Sequence, residues 1–178
     1  MMFGWFSGPA MTSPPTARPT AMEPIDIAHR VIDDNHFMVL GTAQPDGTPR
    51  VSPVFYNHAA YRDFYWISSP DAQHSRNVAA RPRVEIVIYN SRADPGPDTA
   101  AVYLGATAAQ VPDAELPAAV TAAFSSVRSG VRAYGVDELS GDAELRLYRA
   151  TVTSTEIHVR GSDPERGTGI DRRLAVDA

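Results

Sequence analysis

Residues 36–56, HFMVLGTAQPDGTPRVSPVFY, hold two β-forming runs on either side of Asp46-Gly47. An Asp-Gly pair between such runs is a strong short-range signal for a tight antiparallel hairpin. Neighbouring antiparallel strands are therefore a starting constraint on the fold. Further β-forming runs follow at 63-DFYWIS-68, 83-RVEIVIYN-90, 100-AAVYLGATAAQV-111 and most of 144–160. The run opened by Arg50 is expected to pair with DFYWIS, so that the first three strands form a meander. Gly105, inside an otherwise continuous strand pattern, is the expected position of a bulge.

Helical signals fall between these runs. In 24-PIDIAHRVIDDN-35, Pro24 suits a first turn, Asp26 complements the helix dipole, and Ile25, Ala28, Val31 and Ile32 share a face. A short helix is expected over 71–80, and another within 112-PDAELPAAVTAAFSSV-127, where Leu116, Val120 and Phe124 align. About six strands with short helices at the crossings imply a mostly β, α+β antiparallel barrel-like domain over residues 23–161. Residues 1–22 carry Pro, Thr, Ala and Ser with no structural period and read as a disordered tail. Residues 162–178 read as an irregular C-terminal tail.

Composition narrows the chemistry. The net charge of −5 argues against general nucleic-acid binding, which requires a basic surface. All sixteen basic residues are arginine, so an anion site must use guanidinium, imidazole, hydroxyl or backbone N–H groups. The absence of cysteine removes disulfides, thiolate metal sites and cysteine nucleophiles. No apolar run approaches the roughly 20 residues of a membrane helix, and the N-terminal residues lack a signal-peptide pattern, so a cytoplasmic location is the default. The histidines are too scattered for a metal-binding pair. The glycines of 167-GTGIDR-172 follow no strand suited to a dinucleotide loop, and Asp33-Asp34 reads as a solvated acidic pair.

The stretch 63-DFYWISSPDAQHSRNVAARPRVEIVIYN-90 gathers polar groups where a helix begins. The first N–H groups of a helix lack intrahelical partners and lie at the positive end of its dipole, which favours anions. Ser68 and Ser69 arrive just before that point, and Gln73, His74, Ser75 and Arg76 lie in the first turns. A phosphate held among Arg50, Ser68, Ser69 and the helix start would be satisfied without lysine. Serine and aspartate before a helix also serve as ordinary caps, so spacing alone leaves both readings open.

From about 36 to 111 the chain resembles the flavin-binding split-barrel family typified by pyridoxamine 5′-phosphate oxidase. The residues that carry the likeness are VLGTAQPDGTPRVSPVFY, FYWISSPDAQHSRNVAARPRVEIVIY and AAVYLGATAAQV. The resemblance implies an antiparallel split β-barrel with short flanking helices, and a homodimer with flavin mononucleotide (FMN) at the subunit interface. It places Arg50 on the flavin phosphate and the backbone of Val51, Ser52 and Pro53 along the isoalloxazine ring. Ile67, Ser68 and Ser69 would contact the ring and the ribityl phosphate. The basic pair of the following helix falls on Gln73 and His74, with Arg76 one turn on. His74 stands where the family has lysine, which makes that contact pH-dependent.

No side chain is compelling as an acid or base. Tyr89, Tyr103 and His158 are candidates to shape a substrate pocket, and Arg172 and Arg173 do not reproduce the family's C-terminal substrate motif. The resemblance therefore implies an FMN-dependent oxidoreductase acting by hydride transfer on a small molecule. A deazaflavin-dependent reductase and a non-catalytic flavin carrier or sensor are the alternatives on the same fold.

Overall fold

The computed structural model describes residues 22–92, 100–125 and 132–176. The expected N-terminal tail through Ala21, most of the loop at 91–99 and the end of the third helix at 126–127 lie outside the described residues. In chain order the elements are α1 (Pro24–Asp34), β1 (Phe37–Ala43), β2 (Pro49–Phe55), β3 (Asn57–Ala59), β4 (Asp63–Ser68), α2 (Gln73–Ala80), β5 (Arg83–Tyr89), β6 (Ala101–Gln110), α3 (Leu116–Phe124), β7 (Arg146–Val159) and β8 (Arg172–Val176), with one 3₁₀ turn at Val136–Glu138. No helix among the described residues is long and apolar enough to cross a membrane.

The Asp46-Gly47 turn joins β1 and β2 in antiparallel register, Leu40 opposite Ser52 and Thr42 opposite Arg50. Gly47 takes a φ of 89°, which L side chains adopt only with strain, and Asp46 Oδ1 accepts the Thr48 N–H at 2.9 Å. The strands form one sheet in the order β2-β1-β5-β6-β7-β4-β3, every pairing antiparallel, and β8 lies beside β7. β6 shifts register between Gly105 and Ala106, where the bulge is expected.

The expected pairing of β2 with β4 is not made. Among the described residues β2 pairs with β1 alone, and β4 lies between β3 and β7. The reason is local. After Phe55 the chain runs through buried Tyr56 into the short strand β3, and a turn with Ala60 and Tyr61 at positive φ folds β3 onto β4. Residues 49–59 thus serve both ends of the sheet, and the covalent link through Tyr56 holds those ends together. The Tyr56 hydroxyl donates to the Ile32 carbonyl at 2.6 Å and ties this corner to α1. Asp33 is not simply solvated. It accepts the Tyr61 hydroxyl at 2.8 Å and lies 3.0 Å from His58 Nε2, while the Tyr61 ring stacks on His29.

Burial explains the differing composition of the strands. Met38 and Leu40 of β1, Val84, Ile86 and Ile88 of β5, and Val102 and Leu104 of β6 alternate into one interior, covered by α1 and by Val78 of α2. The centre of β4, residues 64–67, is apolar because both its faces are covered. Phe64 and Trp66 join that interior, while Tyr65 packs with Leu147, Leu116 and Leu139 in a second cluster beneath α3. β2 is the opposite case, with Arg50, Val51 and Pro53 exposed.

The C-terminal residues depart from the expected irregular chain. β8 continues the sheet along Thr155–Val159 of β7. The loop before it turns on main-chain contacts, with the Gly167 N–H donating to the Asp163 carbonyl and the Gly169 N–H to the Gly161 carbonyl, each at 3.0 Å. A methyl group on Gly167 would lie 2.4 Å from the carbonyl oxygens of Asp163 and Gly161, and Gly169 takes a φ of 92°, which accounts for these glycines without a nucleotide. Gly167→Ala is expected to lower stability by roughly 1–3 kcal/mol, as overpacking against backbone does. Chemical denaturation measures the loss, and an unchanged midpoint would contradict the packing described.

Candidate functional site

The chain leaves β4 at Ser68, turns through Ser69–Ala72 and enters α2 at Gln73. Ser69 Oγ accepts the Asp71 N–H at 3.2 Å, so this hydroxyl serves the turn. The N-cap residue is Ala72, and no side chain caps the helix. The ordinary capping role is therefore not filled by Ser69 or Asp71. The helix start keeps its capacity to receive an acceptor from elsewhere.

Two hydroxyls and an imidazole meet at this point. Ser68 Oγ lies 2.8 Å from His74 Nε2, and the Ser75 hydroxyl donates to Ser68 Oγ at 3.2 Å. Ser68 and Ser75 are buried and His74 is half-buried. Burial lowers the pKa of His74 from its ordinary value, and the charge of Arg50 lowers it further. The imidazole is thus held neutral in part by a cation brought near it from β2.

Arg50 reaches this region because α2 is fastened to the β1–β2 hairpin. Asn77 Nδ2 donates to Thr42 Oγ1 at 3.0 Å, and Thr42 Oγ1 in turn donates to the Arg50 carbonyl at 3.4 Å. At the far end of the helix, the Arg81 guanidinium donates to the carbonyls of Gln44 and Pro45. Thr42 and Arg50 are cross-strand partners and share a sheet face, with Ser52 two residues on. The Arg50 side chain makes no hydrogen bond or ion pair among the described residues and is exposed.

The sequence-predicted residues divide into distinct settings. Arg50, Ser68, His74 and Ser75 gather at the mouth of the curled sheet. Gln73 is turned along the helix, its Nε2 donating to Asn77 Oδ1 at 2.8 Å. Arg76 folds back on the turn, donating to the Asp71 carbonyl and to Gln73 Oε1. Val51 and Pro53 project from the opposite face of β2, and Ile67 from the face of β4 beneath α3. Tyr103 lies under the Arg173 guanidinium at 3.9 Å, His158 faces Asp171 at 3.4 Å, and Tyr89 is half-exposed at the end of β5.

Thr42 and Asn77 escape the sequence reading, although the fastening of α2 depends on both. Their buried polar side chains are the only trace, and Asn77 lies one helical turn after Gln73, where a side-chain pair can form. A lone threonine in a strand gives no comparable signal.

On the outer face of the sheet, Gly41, Ala43, Val51, Glu85, Gly105 and Thr153 border a shallow depression of about 730 Å³. Val51 there is 69% exposed.

Comparison with known proteins accords with this architecture. A heme-binding protein from Mycobacterium smegmatis is 22% identical and superposes with a TM-score of 0.61, over 90% of this chain and 60% of its own. This chain therefore spans less than two thirds of that relative. An FAD-binding protein from Mesorhizobium loti is 18% identical, with a TM-score of 0.57 over 76% of this chain and 94% of its own. A heme storage protein from Vibrio cholerae is 18% identical, with a TM-score of 0.56 over 83% and 99%. No curated protein sequence matches at a significant level. The profile of the pyridoxamine 5′-phosphate oxidase family matches residues 26–158. That match spans well over half of the sequence and coincides with the curled antiparallel sheet, so the chain belongs to the pyridoxamine 5′-phosphate oxidase family and has its split-barrel fold.

Proposed function

We propose that this chain is an FMN-binding oxidoreductase, holding the flavin phosphate among Arg50, Ser68, His74, Ser75 and the start of α2. The observation that carries the reading is an exposed guanidinium without an acidic partner among the described residues, set near two hydroxyls and an imidazole whose pKa is lowered by burial and further by that guanidinium. Such a group of donors fits a phosphate. Arg50 offers a fixed charge and a fork of N–H donors, the serines offer hydroxyl donors, and the helix start adds backbone N–H groups. His74 can become a second cation when a dianion replaces part of its lost solvation. Arg76 is engaged with the turn and holds the helix entrance rather than the anion.

When bound, the flavin supplies hydride acceptance and donation. The chain supplies position. β2 pairs with a strand on one side only, so the main-chain groups of its other edge, including those within Val51, Ser52 and Pro53, are available to line a planar ring. The small residues and exposed Val51 around the outer depression suit a second copy of the chain, and a homodimer with the cofactor at its interface is part of the proposal.

Similarity to heme-binding proteins and the deazaflavin alternative make cofactor choice the first test. The purified chain is expected to show the paired visible absorbance bands of an oxidised flavin, or to acquire them with added FMN in preference to a deazaflavin or heme. Absence of FMN binding would overturn the reading. Tight binding with no turnover across donors and acceptors would assign a carrier or sensor role instead.

Arg50→Ala is expected to weaken FMN binding by about 2 kcal/mol, roughly 30-fold, through loss of a charge-assisted contact. Calorimetric titration measures it, and unchanged affinity would place the phosphate elsewhere. The lowered pKa of His74 gives a second test. Below its ordinary value near 6.5, the unfolded chain takes the proton before the folded one, so this group reduces stability as pH falls toward its folded value. A bound phosphate raises the same pKa, so binding takes up a proton. The affinity ratio of the natural chain to His74→Gln should therefore be largest at low pH and fall as pH rises through the pKa of the complex. The phosphate's own titration is common to both proteins and cancels. A flat ratio would remove His74 from the site.

A further inference from the structure

The sequence holds one Asp-Gly pair, Asp46-Gly47, and no Asn-Gly pair. In such a pair the backbone nitrogen of the glycine can attack the side-chain Cγ of the aspartate. A C–N bond forms, a carboxyl oxygen leaves as water with the carboxyl and amide protons, and a cyclic succinimide remains. Water then opens the ring at either carbonyl. One opening restores aspartate, and the other yields isoaspartate, whose main chain runs through Cβ and Cγ. No electrons are exchanged, and the water lost is regained. Glycine hinders the attack least, because it carries no side chain beside the nitrogen.

Position favours this reaction, and the bonding of the turn opposes it. Asp46 and Gly47 are exposed at the tip of the β1–β2 hairpin, and a methyl group added to Gly47 would meet nothing within 4 Å. The nucleophile is nevertheless engaged, because the Gly47 N–H donates to the Gln44 carbonyl at 2.8 Å. The electrophile is engaged as well. The Thr48 N–H that donates to Asp46 Oδ1 lowers the pKa of that carboxyl, and an ionised carboxylate resists attack. A third contact comes from outside the hairpin. Arg81, the residue after α2, donates from its guanidinium to the carbonyls of Gln44 and Pro45, the latter at 2.8 Å. The Gln44 carbonyl thus accepts from Gly47 and from Arg81, while the Gln44 N–H donates to the Thr48 carbonyl at 2.9 Å. Opening the turn far enough for Gly47 to reach Cγ breaks these bonds together, and the opened fraction sets the rate. Conversion would add one backbone carbon to the hairpin that sets Thr42 opposite Arg50.

We propose that Asp46-Gly47 is a site of isoaspartate formation in this chain, and that Arg81, by clamping the turn, governs its rate. The site goes beyond the flavin reading, because the reaction needs only water and involves no cofactor.

The test is to incubate the full chain at neutral pH, digest it with trypsin, and quantify isoaspartate at position 46 in the fragment 31–50 by mass spectrometry. The same fragment, made as a free peptide, is the reference. Isoaspartate is expected at position 46 in both, forming at least about tenfold more slowly in the folded chain, where reaction is confined to the opened turn. Arg81→Met keeps the stem and removes the donors. It should raise the rate in the folded chain by at least about threefold and speed exchange of the Gly47 amide hydrogen in step. Arg81→Lys, which keeps a cationic donor, should fall between, and decides the matter if Arg81→Met does not fold. Gly167→Ala weakens a loop remote from the hairpin and should leave the rate at position 46 unchanged, which separates local opening from global unfolding. Equal rates in chain and peptide, no isoaspartate at position 46, a rate unmoved by both Arg81 variants, or equal acceleration by Gly167→Ala would overturn the proposal.

Discussion

The continuous passage of residues 49–59 from one end of the sheet to the other is the constraint on which the remaining structure depends. β2 and β3 are the two terminal strands, yet only Tyr56 separates them in sequence. A sheet whose ends are joined by a single residue must curl. Tyr56 is fully buried at that joint and its hydroxyl is satisfied by the last turn of α1, so the curl is held by packing and by a hydrogen bond within the core. Arg50 and Ser68 approach a common region as a consequence, although their strands never pair.

Much of this architecture is legible in the sequence. Asp46-Gly47 specifies a hairpin through turn geometry, DFYWIS announces a strand through composition, and Gly105 marks a bulge where an added side chain would meet Ser154. What escapes is long-range or too short to carry a pattern. β3 has three residues and ends in a turn whose left-handed positions are occupied by alanine and tyrosine, neither of which signals such a backbone. β8 looks irregular because Arg172 and Arg173 interrupt its apolar character. The meander expected of β1, β2 and β4 fails because the pairing of β4 is decided by the closing of the sheet, not by proximity in sequence.

The polar cluster shows the same division. A helix opening with histidine and serine after two serines is visible in one dimension, and so is its suitability for an anion. The fastening of that helix by Asn77 and Thr42, and the influence of Arg50 on His74, come from residues far apart in the chain. In a protein without lysine, the exposed Arg50 guanidinium near His74 is the arrangement on which the proposed anion site rests.

β7 is longer than any one neighbour can cover. β4 covers its first half, and β8 covers Thr155–Val159, where the edge would otherwise be bare. An uncovered strand edge invites other chains to pair with it and begin aggregates. β8 is short, bears two arginines, and spends one of them against Glu156 and Tyr103. The polar terminus thus acts as a selvedge, finishing the fabric with a charged border on which further strands cannot readily be woven.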